Sequence, residues 1–135
     1  AYLDYDAEGD RDVVRTTNNG PAYLFRNDAA DRRSWVRVKL VGSKANRDGI
    51  GARIRVTAGD RTVSAMMKAG ASYCSQSELV ATFGLGSAQA ANRIEVIWPG
   101  GATQVVEQPP IRTTVVIRQD QAAPNAASGQ VPAPR

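Results

Sequence analysis

The sequence predicts an all-β fold, either a β-sandwich or a partly open barrel of short antiparallel strands. Apolar and polar residues alternate with period two through the middle of the chain, as is typical of strands with one buried face. The last run, residues 113–117, is β-branched throughout, and glycine and proline mark turns between runs. No window of about 11 residues shows the apolar stripe of an amphipathic helix.

Segments with this strand pattern follow one another along the middle of the chain. In the first of them Val36, Val38 and Leu40 share one face. A turn at residues 58–61 makes the next two segments a hairpin, and residues 99–101 (Pro-Gly-Gly) favour a second reversal. The predicted strands are residues 35–41, 52–56, 62–66, 93–98, 103–107 and 113–117.

Glycine-rich stretches interrupt this pattern at residues 49–51 and 83–86. Neither stretch has the Lys-Ser/Thr ending of a phosphate-binding loop or the strand-to-helix setting of a dinucleotide fold. We therefore predict turns or bulges at both places.

The chain divides into three predicted regions, and its length of 135 residues suits one main domain. Residues 1–28 hold an acidic loop and a short hairpin, and residues 29–119 hold the β domain. Residues 120–135 are rich in proline and alanine without periodicity, which predicts an extended tail or linker.

Composition excludes several kinds of active site. The chain has no histidine, which removes His-dependent nucleophilic triads and the usual imidazole base. Its single cysteine, Cys74, excludes an internal disulfide and a cysteine-rich zinc site. We therefore expect a protein that is not an enzyme.

The basic residues bear on possible partners. The formal net charge is +4 and the isoelectric point is near 9.6, which raises an anionic polymer such as an extracellular glycan as an alternative partner. However, Arg37 and Lys39, like Arg53 and Arg55, alternate along predicted strands. This pattern favours a solvated sheet face over a nucleic-acid surface. No apolar run approaches the ~18 residues of a membrane span.

The first region carries the most specific chemical signal. Residues 4–12 place acidic side chains at every second position. Ca²⁺ takes ~6–8 oxygen ligands, and on a tight loop this spacing brings side-chain oxygens together around one point. Gly9 allows the sharp bend that a tight loop requires. We predict side-chain ligands at Asp4, Asp6, Glu8 and Asp12, with the Asp10 backbone carbonyl as a further ligand.

This predicted calcium loop differs from an EF-hand. Arg15 stands where an EF-hand has its bidentate glutamate, and Val13 and Val14 predict a strand instead of a helix. A solvated acidic turn is the alternative. We favour the metal site because five carboxylates within nine residues repel one another unless a cation lies among them.

These residues resemble a known combination of modules. Residues 4–14, 18–21 and 24–27 are similar to the closing part of an integrin-type FG-GAP/VCBS repeat, in which a calcium loop lies between strands of a β-propeller blade. The region of about residues 31–107 resembles the ASPIC/UnbV domain, which follows such propellers in cartilage acidic protein and many secreted bacterial proteins. The matching stretches are residues 35–40, 43–52, 70–76, 83–86 and 94–101.

The resemblance implies a secreted or cell-surface location, calcium dependence and no established catalysis. The expected function is that of a structural or adhesion module. An isolated hairpin is marginally stable in water, so residues 1–28 must either dock on the β domain or pair with another chain. The second alternative predicts strand addition between copies of the protein, which would form an oligomer or a fibre.

Overall fold

The structure is a computed structural model that describes residues 1–28, 33–70 and 72–120. These residues form strands and loops without a helix, which confirms the predicted all-β class. None of them therefore belongs to a helix long and apolar enough to cross a lipid bilayer. The strands are β1 (Tyr2–Leu3), β2 (Asp12–Arg15), β3 (Tyr23–Phe25), β4 (Ser34–Val41), β5 (Arg53–Ala58), β6 (Arg61–Met66), β7 (Ala81–Gly86), β8 (Arg93–Ile97), β9 (Thr103–Glu107) and β10 (Thr114–Arg118).

Two sheets enclose the hydrophobic core as a sandwich. One sheet has the strand order β6-β5-β8-β9, and the other has the order β10-β4-β7. Period-two alternation turns Val36 and Val38 of β4 towards Ile54 and Val56 of β5, and all four side chains are fully buried. Complete burial of one such side chain stabilises the fold by roughly 1.5–3 kcal/mol relative to exposure. The predicted sandwich is thus built from the predicted core face.

The predicted turns occur where glycine permits them. The β5–β6 hairpin reverses at Gly59, whose φ is +58°, and the β8–β9 hairpin reverses at Gly100 and Gly101, with φ near +97° and +91°. Residues 83–86 lie within strand β7 and do not form a turn. The β4–β7 register nevertheless shifts beside them, so the predicted irregularity is present.

The last strand is an exception to the antiparallel pattern. β10 pairs with β4 in parallel, with Thr114 opposite Arg37 and Arg118 opposite Val41. The preceding strand, β9, belongs to the other sheet. The chain therefore crosses between the sheets through Pro109 and Pro110 before β10 begins. A crossing connection of this kind permits parallel pairing, whereas a tight hairpin does not.

The N-terminal strands form a third sheet with the order β1-β2-β3, which contains the predicted hairpin. This sheet docks on the sandwich of the same chain. The Tyr2 backbone N–H donates to the Ser77 hydroxyl at 3.1 Å, and the Glu78 N–H donates to the Tyr2 carbonyl at 3.1 Å. Of the two alternatives left open for residues 1–28, docking within the chain is the one seen here.

The β domain extends at least to Gln119, a buried residue just after β10. Its side-chain Oε1 accepts hydrogen bonds from the backbone N–H groups of Ser43, Lys44 and Ala45, at 2.9–3.0 Å. Gln119 thereby secures the loop after β4. Residues 121–135, for which we predicted an extended tail, lie outside the described residues.

We expect Gln119→Leu to destabilise the protein, because the N–H groups of Ser43, Lys44 and Ala45 would lose the side-chain acceptor that they share. A buried donor left unsatisfied costs about 1–3 kcal/mol. Urea unfolding followed by tryptophan fluorescence measures the change. Gln119→Glu retains an acceptor oxygen and is the matched control. Equal stability of the leucine and glutamate variants would contradict this role.

Candidate metal site

The acidic loop between β1 and β2 brings three of the predicted ligands together. Asp4, Asp6 and Asp12 each offer a carboxylate oxygen, and these oxygens lie within 4.8 Å of one another. The carboxylates of Glu8 and Asp10 are not members of this group. Glu8 is exposed, and Asp10 is half-buried. Their role as further ligands therefore stays a prediction.

Asp12 is the first residue of β2 and is fully buried. Its Oδ1 accepts a hydrogen bond from the Asn27 N–H, and its Oδ2 accepts one from the Tyr5 N–H, both at 2.8 Å. These donors, Asn27 first, hold the pKa of the Asp12 carboxyl below its ordinary value because they stabilise the ionised form. Asp12 therefore stays a carboxylate and ties the loop to the end of β3.

Asp4 divides its two oxygens between different environments. Oδ2 accepts a hydrogen bond from the Gly9 N–H at 3.0 Å and lies 3.1 Å from Nη1 of Arg37. Oδ1 is buried and has no hydrogen-bond partner among the described residues. The whole side chain is inaccessible to solvent. A buried carboxylate oxygen without a donor is costly, and a cation at this position would satisfy it.

The two oxygens of Asp6 also lie in different environments, although the difference is smaller than for Asp4. Its Oδ1 accepts a long hydrogen bond of 3.4 Å from the Glu8 N–H. Its Oδ2 is buried without a hydrogen-bond partner in the described part of the chain and lies 3.9 Å from Nε of Arg26. Arg26 itself has a much closer partner, Asp28, at 2.6 Å. The guanidinium of Arg26 therefore neutralises Asp6 only in part.

Two features of the loop require glycine at position 9, its backbone conformation and its close contact with Trp35. Its φ is +90°, as expected for a bend that favours glycine, and the residue is buried. A Cβ atom at this position would lie only 2.0 Å from Cδ2 of the Trp35 indole. The loop therefore rests directly on the Trp35 ring, which extends from β4. Sequence reasoning identified the bend at Gly9 but missed its contact with Trp35.

Arg37 was expected on a solvated sheet face, and that expectation was wrong. The N-terminal sheet covers the residue, and its side chain is only 11% exposed. Its guanidinium bridges Asp4 at 3.1 Å and Glu78 at 2.5 Å. Burial raises the pKa of Glu78, and the nearby positive charge of Arg37 opposes this effect. Lys39 and Arg53 are exposed as predicted.

The donor set defines what this site can bind. All three converging side chains are carboxylates, which are hard oxygen donors. Such donors suit Ca²⁺ or Mg²⁺, whereas zinc and copper sites in proteins are usually built with histidine or cysteine. Two of the carboxylates each have one buried oxygen without a hydrogen-bond donor among the described residues. The arrangement fits a hard divalent cation.

Comparison with protein-family models matches the part of the sandwich that follows β4 and does not reach the acidic loop. The model described as ASPIC and UnbV matches residues 42–124, which is more than half of the chain. The match begins directly after β4 and runs past β10. A search of curated proteins found no significant match. The similarity of residues 4–27 to an FG-GAP/VCBS repeat stays a prediction, since the match does not include them.

We expect Gly9→Ala to destabilise the protein more than Gly59→Ala does. Both glycines have positive φ, which costs an alanine about 1–2 kcal/mol. A Cβ at Gly59 meets nothing within 4 Å, whereas one at Gly9 collides with Trp35. Comparing the two variants therefore separates the cost of backbone strain, which both have, from the cost of the steric clash with Trp35, which only Gly9→Ala has. Thermal unfolding measures both changes, and an equal loss of stability would show that Gly9 does not need its contact with the ring.

Proposed function

The chain belongs to the ASPIC and UnbV family, and we propose that it is a non-catalytic extracellular structural or adhesion module that binds Ca²⁺ at residues 4–12. One observation carries the cation site. The Asp4, Asp6 and Asp12 oxygens converge within 4.8 Å, and a buried oxygen of Asp4 lacks a hydrogen-bond donor among the described residues. An acidic surface turn would leave its carboxylate oxygens in water.

Electrostatics supports a bound cation. Two unit charges 4.8 Å apart repel by roughly 3 kcal/mol at an effective dielectric constant near 20. Arg37 and Arg26 offset part of this repulsion, but each also has another acidic partner, Glu78 and Asp28 respectively. A divalent ion among the three oxygens would convert the repulsion into attraction.

Calcium fits this loop better than magnesium does. Ca²⁺ accepts ~6–8 oxygens in irregular geometry, whereas Mg²⁺ requires a near-octahedral site and retains several waters. The loop offers three side-chain carboxylates and, in our proposal, the Glu8 carboxylate and the Asp10 backbone carbonyl. Glu8 is exposed, so its side chain would turn inward to reach the ion. Water would complete the coordination.

We expect Ca²⁺ to raise the melting temperature of the wild-type protein and to bind Asp6→Asn much more weakly. A ligand whose free concentration is a hundred times its dissociation constant raises the free energy of unfolding by about 2.7 kcal/mol. Isothermal titration calorimetry measures binding, and differential scanning calorimetry measures stability. Asp6 is the best position to test because, unlike Asp4, it makes no ion pair with Arg37.

Asp60→Asn is the matched control for this experiment. Asp60 is exposed at the β5–β6 turn, so the variant loses the same charge away from the loop. Unchanged calcium affinity in Asp6→Asn would contradict the proposed site. The double variant Asp4→Ala, Asp6→Ala provides a second test, because its stability in calcium should equal its stability in a chelator.

Self-association is the second part of the proposal, and β3 is the strand that supports it. β3 lies at one edge of the N-terminal sheet and pairs with β2 alone. Tyr23, Leu24 and Phe25 are 46%, 46% and 52% exposed. The Tyr23 and Phe25 rings stack with their centroids 6.3 Å apart. An exposed apolar edge strand is a ready template for pairing with another chain.

We expect the wild-type protein to associate as its concentration rises and Leu24→Lys to remain monomeric. A charged side chain on an edge strand opposes pairing because association would bury it. Light scattering over a concentration series measures the effect, in calcium and again in chelator. Val116→Lys is the control, because Val116 is also an exposed apolar residue on an edge strand. A wild-type protein that stays monomeric at high concentration in calcium would contradict this part of the proposal.

A further inference from the structure

A groove of about 680 Å³ lies beside β6, and none of the three converging carboxylates is among its lining residues. Residues 64–68 form one wall, and residues 77–78 with 80–81 form another. Gly70, together with Tyr2 and Arg11 of the N-terminal region, completes the lining. The groove is therefore bounded partly by the sandwich and partly by the sheet docked on it.

The wall of the groove formed by β6 contains backbone N–H and C=O groups that do not pair with β5. β6 is the edge of its sheet and pairs with β5 alone. Met67, which directly follows β6, donates its N–H to the Ala52 carbonyl at 2.9 Å, so its backbone faces the β5 side. Along an antiparallel strand, the backbone N–H and C=O groups of successive residues point alternately towards and away from the neighbouring strand. The N–H and C=O groups of Ser64 and Met66 therefore point away from β5.

The side chains that line the groove carry an excess of positive charge. Arg11 and Lys68 are exposed, and neither makes an ion pair with a described residue. Glu78 is the acidic residue in the lining, and Arg37 holds its carboxylate at 2.5 Å. Lys68 thus has no acidic partner in the described part of the chain, whereas Arg11 donates a hydrogen bond to the Thr82 carbonyl at 3.4 Å and its charge also acts on Glu78, which Arg37 already pairs.

The lining also contains exposed apolar side chains. Met66 is 48% exposed and Tyr2 is 50% exposed. Methionine adapts to irregular apolar partners, and an exposed tyrosine ring offers a large contact area. Alternate side chains of an added strand point to opposite faces. Met66 and Lys68 are both exposed and flank the buried Met67, so they lie on the same side of the chain. An acidic side chain of the ligand on that side would reach Lys68, and its methylene groups would cover Met66.

We propose that β6 binds an extended acidic segment of a partner protein, which adds to the sheet as a further strand. The free edge supplies main-chain hydrogen bonds, and Lys68 and Arg11 supply charge complementarity. A peptide is favoured over an anionic glycan because a sugar lacks the alternating N–H and C=O groups that an edge strand pairs with. This interaction goes beyond the proposed function and does not depend on a cation at residues 4–12.

A synthetic peptide that alternates glutamate and valine over about eight residues is a suitable probe, since strands are commonly of this length. Fluorescence anisotropy measures binding, and amide chemical shifts locate it. We expect affinity to fall as salt rises, with shifts at Ser64, Met66 and Lys68. A peptide that alternates lysine and valine should bind much more weakly. Equal binding of the two peptides would overturn the proposed charge complementarity.

Ser64→Pro tests the strand pairing itself. The proline removes an N–H that points away from β5, and edge strands tolerate proline at such positions. We expect at least about a tenfold loss of peptide affinity, with the melting temperature close to that of Ser64→Ala, which should bind normally. Lys68→Glu should also weaken binding, whereas Lys39→Glu, at an exposed residue outside the groove, should not.

Two further outcomes would overturn the proposal. One is a folded Ser64→Pro variant that binds the acidic peptide as tightly as the wild type does. The other is a heparin fragment that binds the wild type and Ser64→Pro equally and displaces the peptide, which would indicate a polyanion site. Two probes, one N-methylated at the glutamates and the other at the valines, make the same test on the unaltered protein, and undiminished binding of both would also refute strand addition.

Discussion

The ion pair between Arg37 and Asp4 joins the acidic loop to the sandwich, and most features of the N-terminal region depend on it. Arg37 projects from β4 on the face away from the core, where Asp4 and Glu78 meet its guanidinium. All three groups are largely removed from solvent. Removing one partner of a buried pair leaves an uncompensated charge, which is strongly destabilising. The N-terminal sheet therefore cannot leave the sandwich without separating these charges.

The same carboxylate connects this attachment to the proposed cation site. Asp4 uses Oδ2 to hold Arg37 and the Gly9 N–H, while Oδ1 lies buried without a donor in the described region. A cation on Oδ1 would act on a side chain whose position is already set by the sandwich. Trp35, two residues before Arg37 on β4, supports the loop through its contact with Gly9. Calcium binding and the docking of the N-terminal sheet on the sandwich would therefore stabilise each other, because both require the Asp4 side chain in the same position.

The arrangement of sheets also decides where other molecules can bind. The described strands form three open sheets, and each has edge strands with free backbone groups. β3 combines its free edge with apolar side chains that are about half exposed, which suits a second copy of the chain. The residues beside β6 include Arg11 and Lys68, which suit an acidic segment and disfavour a basic one. The two edges thus differ in charge and in the partner they favour.

The sequence by itself determined the features that depend on neighbouring residues: the alternating strands, the reversals at Gly59 and at Pro99–Gly101, and the carboxylate spacing of the loop. Only the tertiary structure decided the parallel pairing of β10 with β4, the burial of Arg37 and the contact between Gly9 and Trp35. Local alternation shows that Arg37 points away from the core, but it cannot show that a distant segment covers that face. Such contacts join residues far apart in the chain, so local periodicity contains no information about them.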